Sequence, residues 1–397
     1  MGDQILFGGH DLPRVLSGPS PSGVAPVRRR RAPIVWGILG GLALVGAASG
    51  TQLAANLGYD DARAEFSDAA TVVENRQADL ASDVDDLRQG AETAAGIVAA
   101  DTGVLVPEPT RAALDEALAA VDTTASDAET AASASLPRAA EKPFWAWELF
   151  GQSALLDENT DDLADQAADI DAAGESVVDV DGQLEDTAVA AIQEAAAAAP
   201  AFEAAHINAR NPEILMLRAT AESVTSSVTA LDSQAVSLFG ELEAAAAAML
   251  ETERAELAEK QGVLHGPRTE IEAFARSIAP GVLLDFDWSP TVPGYDGPSY
   301  GGWTTWWYGD PGYSTIALSD YVAEEWPAAW TKALVVHEVG HAISVKCESM
   351  YDSSNQDTIE EWATAWAISM GYHDRANGVD VYGQPSQAMI DQAAQCR

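Results

Sequence analysis

Cysteine is rare in this sequence of 397 residues, and basic residues are few relative to acidic ones. Its two cysteines are too few for a disulfide-dense scaffold, a set of zinc knuckles or a cysteine-ligated iron–sulfur cluster, although they still allow one bridge. Lysine and arginine total 21 against 62 aspartate and glutamate residues, which gives a net charge of −41. Because so acidic a chain repels phosphate backbones along most of its length, we expect no nucleic-acid partner.

Charged residues are absent from one continuous segment near the N terminus. Four arginines at 28–31 are followed by residues 32–59, which contain no charged side chain and begin with a strongly apolar run. About 20 helical residues cross the hydrocarbon core of a bilayer, and arginines on the N-terminal flank favour an N terminus in the cytoplasm. We therefore predict a single-pass membrane protein with a basic cytoplasmic tail at 1–31, a transmembrane helix at 32–54 and an extracytoplasmic remainder. The alternative is a cleaved secretory signal, for which AASG at 47–50 offers small residues; it also exports the rest of the chain.

Proline and aromatic residues are rare in the segment 55–277, which is rich in alanine and acidic residues. Alanine favours helix and allows close helix approach but buries little area per residue. We therefore predict an acidic, coiled-coil-like helical stalk rather than a thick globule, and such a stalk could self-associate. Pro200 is expected to interrupt its helices.

The composition changes in the segment 278–397, where tryptophan, glycine and tyrosine become frequent. Eight of the 11 tryptophans lie between 288 and 366. Three strands and then two helices are predicted there, at 282–288, 301–309, 314–320, 327–346 and 358–371. The expected fold class is thus mainly α, with a small α+β domain at the C-terminal end.

The first of these two helices carries the motif with the strongest chemical content, HEVGH at 337–341. Positions i and i+4 share one face of a helix, so the imidazoles of His337 and His341 can bind one zinc ion. Glu338 then points its carboxylate at the open position of the metal and can take a proton from bound water. The same histidines could be core residues, but without a metal they would need other buried partners.

A catalytic zinc ion needs a third protein ligand, which must come from another part of the chain. The metzincin extension is absent, because Ser344 and Cys347 stand where that pattern has glycine and histidine. The next helix contains DTIEEWATAWA and supplies Glu360 and Glu361, 19 and 20 residues after His341. Both spacings suit a third ligand.

With these motifs, residues 278–397 resemble a minimal zincin metallopeptidase domain of the gluzincin type. The resemblance aligns Glu360 with the glutamate ligand of the family and Ala363 with a small residue, so it implies Glu360 as the third ligand and leaves Glu361 as the alternative. Thr364 departs from the pattern, because the family usually has there an acid that accepts a hydrogen bond from a zinc-bound histidine. The segment STIALSD at 314–320 resembles the edge strand that lines the substrate groove. The resemblance does not extend to the helical stalk.

The resemblance implies zinc-dependent hydrolysis of a peptide or protein outside the membrane, with Glu338 deprotonating the attacking water. Tyr372 and His373 could supply a further donor to the oxyanion or could be ordinary surface or core residues. The aromatic stretch 293–313 predicts either a wall of the substrate cleft or a hairpin that covers the core. An alternative from another class is a structural or binding protein of the cell envelope with a degenerate, non-catalytic zincin domain.

Both cysteines, Cys347 and Cys396, lie in the domain that is predicted to be extracytoplasmic. A bridge is the default in an oxidising compartment, so we predict one disulfide between the loop after the motif helix and the C-terminal tail. If Cys347 were instead reduced, it could close the zinc site as a fourth ligand.

Overall fold

A computed structural model describes residues 43–294, 297–309 and 312–397, and it is mainly helical over these ranges, as predicted. No helix in this described part is long and apolar enough to cross a membrane. The predicted tail at 1–31 and residues 32–42 of the predicted span lie outside the described residues. Residues 43–54 form the first turns of a long helix.

Three helices form an elongated bundle: α1 (Ala43–Ala100), α2 (Glu108–Ala132) and α3 (Ala146–Ala205). Helices α1 and α3 run parallel, because the side chain of Gln52 accepts a hydrogen bond from the backbone N–H of Ala146 and Arg76 contacts Asp171. Helix α2 runs antiparallel to both, and the extended segment 133–145 then returns along α1 to the beginning of α3.

A seven-residue repeat of buried side chains holds this bundle together. Every seventh residue of α3 from Leu149 to Leu184 is buried, as is every seventh residue of α1 from Tyr59 to Ala94. Such a spacing keeps one seam of each helix facing its neighbours in a left-handed coiled coil. The predicted break at Pro200 is wrong, because α3 continues through it to Ala205. Pro200 removes one backbone donor from this turn, and the buried Ala195, Ala196 and Ala199 keep the turn packed against the neighbouring helices.

Two further helices, α4 (Asn211–Ser227) and α5 (Ser233–Glu259), pack at the end of the bundle where α1 ends. The backbone N–H of Thr102 donates a 3.1 Å hydrogen bond to Glu243 of α5. These two helices therefore join the bundle to the C-terminal domain.

The C-terminal domain has its own core and a small sheet. Its elements are α6 (His265–Ile278), β1 (Leu283–Ser289), β2 (Gly302–Trp307), β3 (Tyr313–Ser319), α7 (Asp320–Glu324), α8 (Ala329–Ile343), α9 (Gln356–Ser369), α10 (Val379–Tyr382) and α11 (Gln387–Ala393). Ile271 and Ala275 of α6 belong to this core. The core of this domain thus includes side chains that precede residue 278.

The sheet has the strand order β1-β3-β2, with β3 parallel to β1 and antiparallel to β2. The prediction that 314–320 is the edge strand is wrong, because this segment forms the central strand β3. Strands β1 and β2 are the two edge strands, and β2 contacts the motif helix α8. The reason is the long-range pairing, which the strand sequences do not specify: Leu284 lies opposite Ser314, and Thr304 lies opposite Ile316.

Polar contacts, both at the surface and in the interior, fix the domain to the bundle. The Arg210 guanidinium lies 2.6 Å from a carboxylate oxygen of Asp287 and contacts Glu256 of α5. The buried Asn211 side chain donates a 2.9 Å hydrogen bond to the carbonyl of Ser314, and its backbone N–H donates to Asp285. These contacts tie β1 and β3 to the beginning of α4.

Candidate metal centre

Three buried side chains converge between α8 and α9. The Nε2 atoms of His337 and His341 lie 3.2 Å apart, and they lie 3.3 and 3.2 Å from Oε2 of Glu360. Within the described residues, these three side chains form a group that could hold a metal ion. The structure thus brings together three residues that the sequence analysis selected as zinc ligands.

The spacing of these atoms fits a zinc ion. Ligand atoms about 2.0–2.1 Å from zinc at tetrahedral angles are about 3.3–3.4 Å apart, close to the observed triangle. Oε2 of Glu360 is buried and makes no hydrogen bond of good geometry, whereas Oε1 accepts a 2.8 Å hydrogen bond from Gln356. A buried carboxylate oxygen without a donor is costly, and a metal ion would satisfy it.

The charge state of Glu360 also suits a ligand. Burial acts to raise the pKa of its carboxyl group, but His337 and His341 outweigh burial and hold this pKa well below its ordinary value. The side chain is therefore an ionised carboxylate, the form that binds metals.

Close packing of α8 against α9 places the glutamate beside the histidines. A Cβ atom on Gly340 would lie 2.8 Å from the carbonyl oxygen of Ala363, so the two backbones approach more closely here than a larger residue allows. Helix α9 begins at an N-cap, where the Asn355 side chain accepts a hydrogen bond from the N–H of Asp357. Glu360 follows in the second turn and faces α8.

The orientation of His337 is fixed by a loop beyond α9. Its Nδ1 lies 3.0 Å from the carbonyl oxygen of Asn377, so Nδ1–H can donate to this carbonyl while Nε2 faces the cluster, where it would bind a metal ion through its lone pair. Thr364, the departure from the family pattern, has its Oγ1 3.4 Å from the same nitrogen. A backbone carbonyl therefore takes the position for which the family pattern has an acid. The sequence analysis did not identify it, because a backbone acceptor leaves no signal in residue type.

Glu338 is buried beside the cluster, and the edge strand holds its carboxylate. The hydroxyl of Thr304 on β2 donates a 2.7 Å hydrogen bond to Oε2 of Glu338. Burial raises the pKa of Glu338, against the opposing effects of His337 and of the Thr304 hydroxyl. A carboxylate with a raised pKa is a better proton acceptor than an ordinary surface glutamate.

Two aromatic rings flank the histidines. Trp306 of β2 stacks on His341, with ring centroids 5.3 Å apart, and Tyr382 of α10 stacks on His337 at 5.8 Å. Burial, followed by the negative charges of Glu360 and Glu338, raises the pKa of Tyr382, so its hydroxyl keeps its proton. The protonated hydroxyl of Tyr382 is thus available as a hydrogen-bond donor beside His337. The sequence analysis missed it because its position depends on the fold of the C-terminal loops.

The structure places the other candidates of the sequence analysis elsewhere. Glu361 points to α11, where its Oε1 accepts a 3.2 Å hydrogen bond from the backbone N–H of Ser386. Tyr372 packs against Phe274 of α6, and His373 is exposed. Cys347 forms a disulfide with Cys396 and is therefore no thiolate ligand.

Among the described residues of the aromatic stretch 293–313, one face of β2 lines the cluster. Thr304 and Trp306 face α8, whereas the alternate residues Trp303 and Trp307 are exposed. Strand β2 therefore covers the core and borders the metal centre at the same time, so the two interpretations of this stretch are compatible.

Comparisons with known proteins give no match: no protein-family model, curated protein or solved structure is detectably similar to this chain.

Proposed function

We propose that the C-terminal domain is a zinc-dependent peptidase, held outside the membrane by the apolar N-terminal segment. The observation that carries this proposal is the triangle of His337, His341 and Glu360, with the carboxylate of Glu338 directly beside it. Three protein ligands are the set used by catalytic zinc sites, which keep a fourth position open, and the disulfide removes Cys347 as a ligand that could close it.

Each side chain then has a defined task. A zinc ion bound by the three ligands would supply Lewis-acid polarisation and acidify a bound water. Glu338 takes a proton from the attacking water at the carboxylate that Thr304 orients, and passes it to the leaving amine. The protonated hydroxyl of Tyr382 donates a hydrogen bond to the oxygen that becomes negative. The Asn377 carbonyl keeps His337 in the tautomer that binds metal.

The substrate class follows from the edge strand. Strand β2 is at the edge of the sheet and borders the metal centre through Thr304 and Trp306. An extended peptide can add to such an edge by backbone hydrogen bonds, which would bring its scissile bond past the cluster. We therefore propose an extended peptide or unfolded protein segment as the substrate.

The test is cleavage of a broad peptide library by the full chain, with bound zinc measured on the same samples. Glu338→Gln keeps the side-chain shape but removes the base, so zinc should remain bound while hydrolysis falls by about 10²–10⁴-fold. Glu361→Gln is the matched control, since this neighbouring carboxylate points to α11, and it should retain cleavage. A chelator should abolish cleavage by the unaltered chain.

Cleavage that persists equally in Glu338→Gln would contradict the assigned base. A full zinc complement with no chelator-sensitive cleavage of any library member would favour the alternative, a cell-envelope binding or structural protein with a non-catalytic domain.

A further inference from the structure

Four aromatic side chains at one end of the bundle are unusually exposed. Phe144, Trp145, Trp147 and Phe150 form this group, which we term the aromatic foot, and their exposed fractions are 77, 50, 68 and 51%. Large aromatic residues are ordinarily among the most buried in a soluble domain. Phe144, Trp145 and Trp147 are in ring-to-ring contact, and contiguous exposed aromatic surface is typical of sites that contact a partner or a membrane.

The aromatic foot lies beside the first turns of α1. The Gln52 side chain donates a 2.9 Å hydrogen bond to the carbonyl of Phe144 and accepts one from the backbone N–H of Ala146. Leu53 and Leu57, on the same turns of α1, are also mostly exposed. The foot is therefore level with the end of the charge-free segment 32–59.

This end of the bundle differs from the rest in its charge. Residues 43–59 of α1 carry no charge, and residues 134–150 carry two basic and two acidic side chains. By contrast, residues 151–199 of α3 carry thirteen acidic and no basic side chains. The end that holds the foot is thus the part of the bundle that an anionic lipid surface would repel least.

The metal centre lies at the opposite end. From Gln52, beside the foot, to Ala100, where α5 packs, α1 advances about 70 Å at 1.5 Å per residue. The polar contacts of Arg210 and Asn211 attach the C-terminal domain at that far end. The bundle therefore separates the foot from the domain along its length.

We propose that the aromatic foot inserts into the headgroup region of the bilayer, next to the N-terminal membrane anchor of the proposed function, on which this inference rests. Tryptophan is enriched at this depth in membrane proteins, because its ring is amphipathic. Two attachment points at one end, the anchor and the foot, fix the bundle relative to the membrane. The bundle then acts as a spacer that holds the peptidase domain tens of ångströms above the lipid surface.

The test uses the full chain in vesicles of phosphatidylcholine and phosphatidylglycerol, made with either brominated or ordinary acyl chains. Brominated lipid quenches the fluorescence of tryptophans that contact it. Three tryptophans should be quenched, Trp36 in the apolar segment and the two of the foot. Because two of these three reporters are removed, Trp145→Phe/Trp147→Phe should reduce the quenching by roughly two thirds.

The matched control is Trp303→Phe/Trp307→Phe. It removes the same number of exposed tryptophans, but from the far end of the molecule. It should leave the amount of quenching unchanged. Phenylalanine keeps the apolar surface in both variants, so binding itself is preserved.

The results separate the foot from the anchor. Suppose that Trp36→Phe abolishes the quenching and Trp145→Phe/Trp147→Phe leaves it unchanged. This result would overturn the insertion of the foot into the bilayer and leave the anchor intact. The same result is expected if the foot docks onto a second copy of the chain, which shields it from lipid. If brominated lipid quenches none of the three tryptophans, both the anchor and the insertion of the foot are overturned.

Discussion

The carbonyl oxygen of Asn377 lies 3.0 Å from Nδ1 of His337, although 40 residues separate the two in the chain. This contact depends on Gly378, whose φ of +104° favours glycine and whose Cβ, if present, would lie 2.8 Å from the His337 ring. The loop after α9 therefore orients the imidazole by a contact at Nδ1, while Nε2 faces the cluster. If His337 binds a metal ion as proposed, the backbone carbonyl of Asn377 would play the role that a carboxylate plays beside many metal-bound histidines.

Glu360→Ala should empty the metal centre, whereas Glu361→Ala should not. Glu360 contributes one of the three proposed ligand atoms, and the loss of one ligand of three lowers zinc affinity sharply. Glu361 instead accepts a hydrogen bond at the beginning of α11. Zinc per chain, measured after gel filtration, checks this prediction. Loss of zinc from Glu361→Ala with retention by Glu360→Ala would reverse the ligand assignment.

Tyr382→Phe should slow peptide hydrolysis by about 10²-fold, as expected for removal of one hydrogen bond to the oxyanion. The effect should fall on kcat with little change in KM, and zinc should remain bound, because the ring that stacks on His337 is kept. Tyr372→Phe is the matched control, since Tyr372 packs against Phe274. Equal kcat for Tyr382→Phe and the unaltered chain would remove Tyr382 from the mechanism.

The disulfide between Cys347 and Cys396 closes a loop of 49 residues. A bridge of this span stabilises the folded state by about 2–4 kcal/mol, chiefly by restricting the unfolded chain. Cys347→Ser/Cys396→Ser should therefore lower the thermal unfolding temperature of the C-terminal domain, which calorimetry can measure. Two thiols that react with an alkylating agent in unreduced, purified protein would show that the bridge does not form.

The orientation of the chain in the membrane can be tested with external protease. The four arginines at 28–31 predict that the tail stays in the cytoplasm. Protease added to spheroplasts should digest the helical stalk and the C-terminal domain but leave residues 1–31 protected. Digestion of the tail from outside intact spheroplasts would contradict this topology, and a lysed sample provides the control for protease access.

The sequence by itself determined the features that follow from local geometry. Helix periodicity places His337 and His341 on one face, since both lie on a single helix whose form is set by hydrogen bonds between near neighbours. The alanine-rich composition likewise predicted the long helices. The repeat of buried residues along α3, from Leu149 to Leu184, is present in the sequence, but the many alanines between its members obscure it.

Only the tertiary structure decided between Glu360 and Glu361 on geometric grounds. One residue step turns a side chain by about 100° around a helix axis, so the choice depends on how α9 docks against Gly340 of α8. The contributions of Asn377 and Tyr382, and the edge position of β2, have the same origin. Each arises from contacts between segments distant in the chain, and no local pattern of residue types specifies how those segments meet.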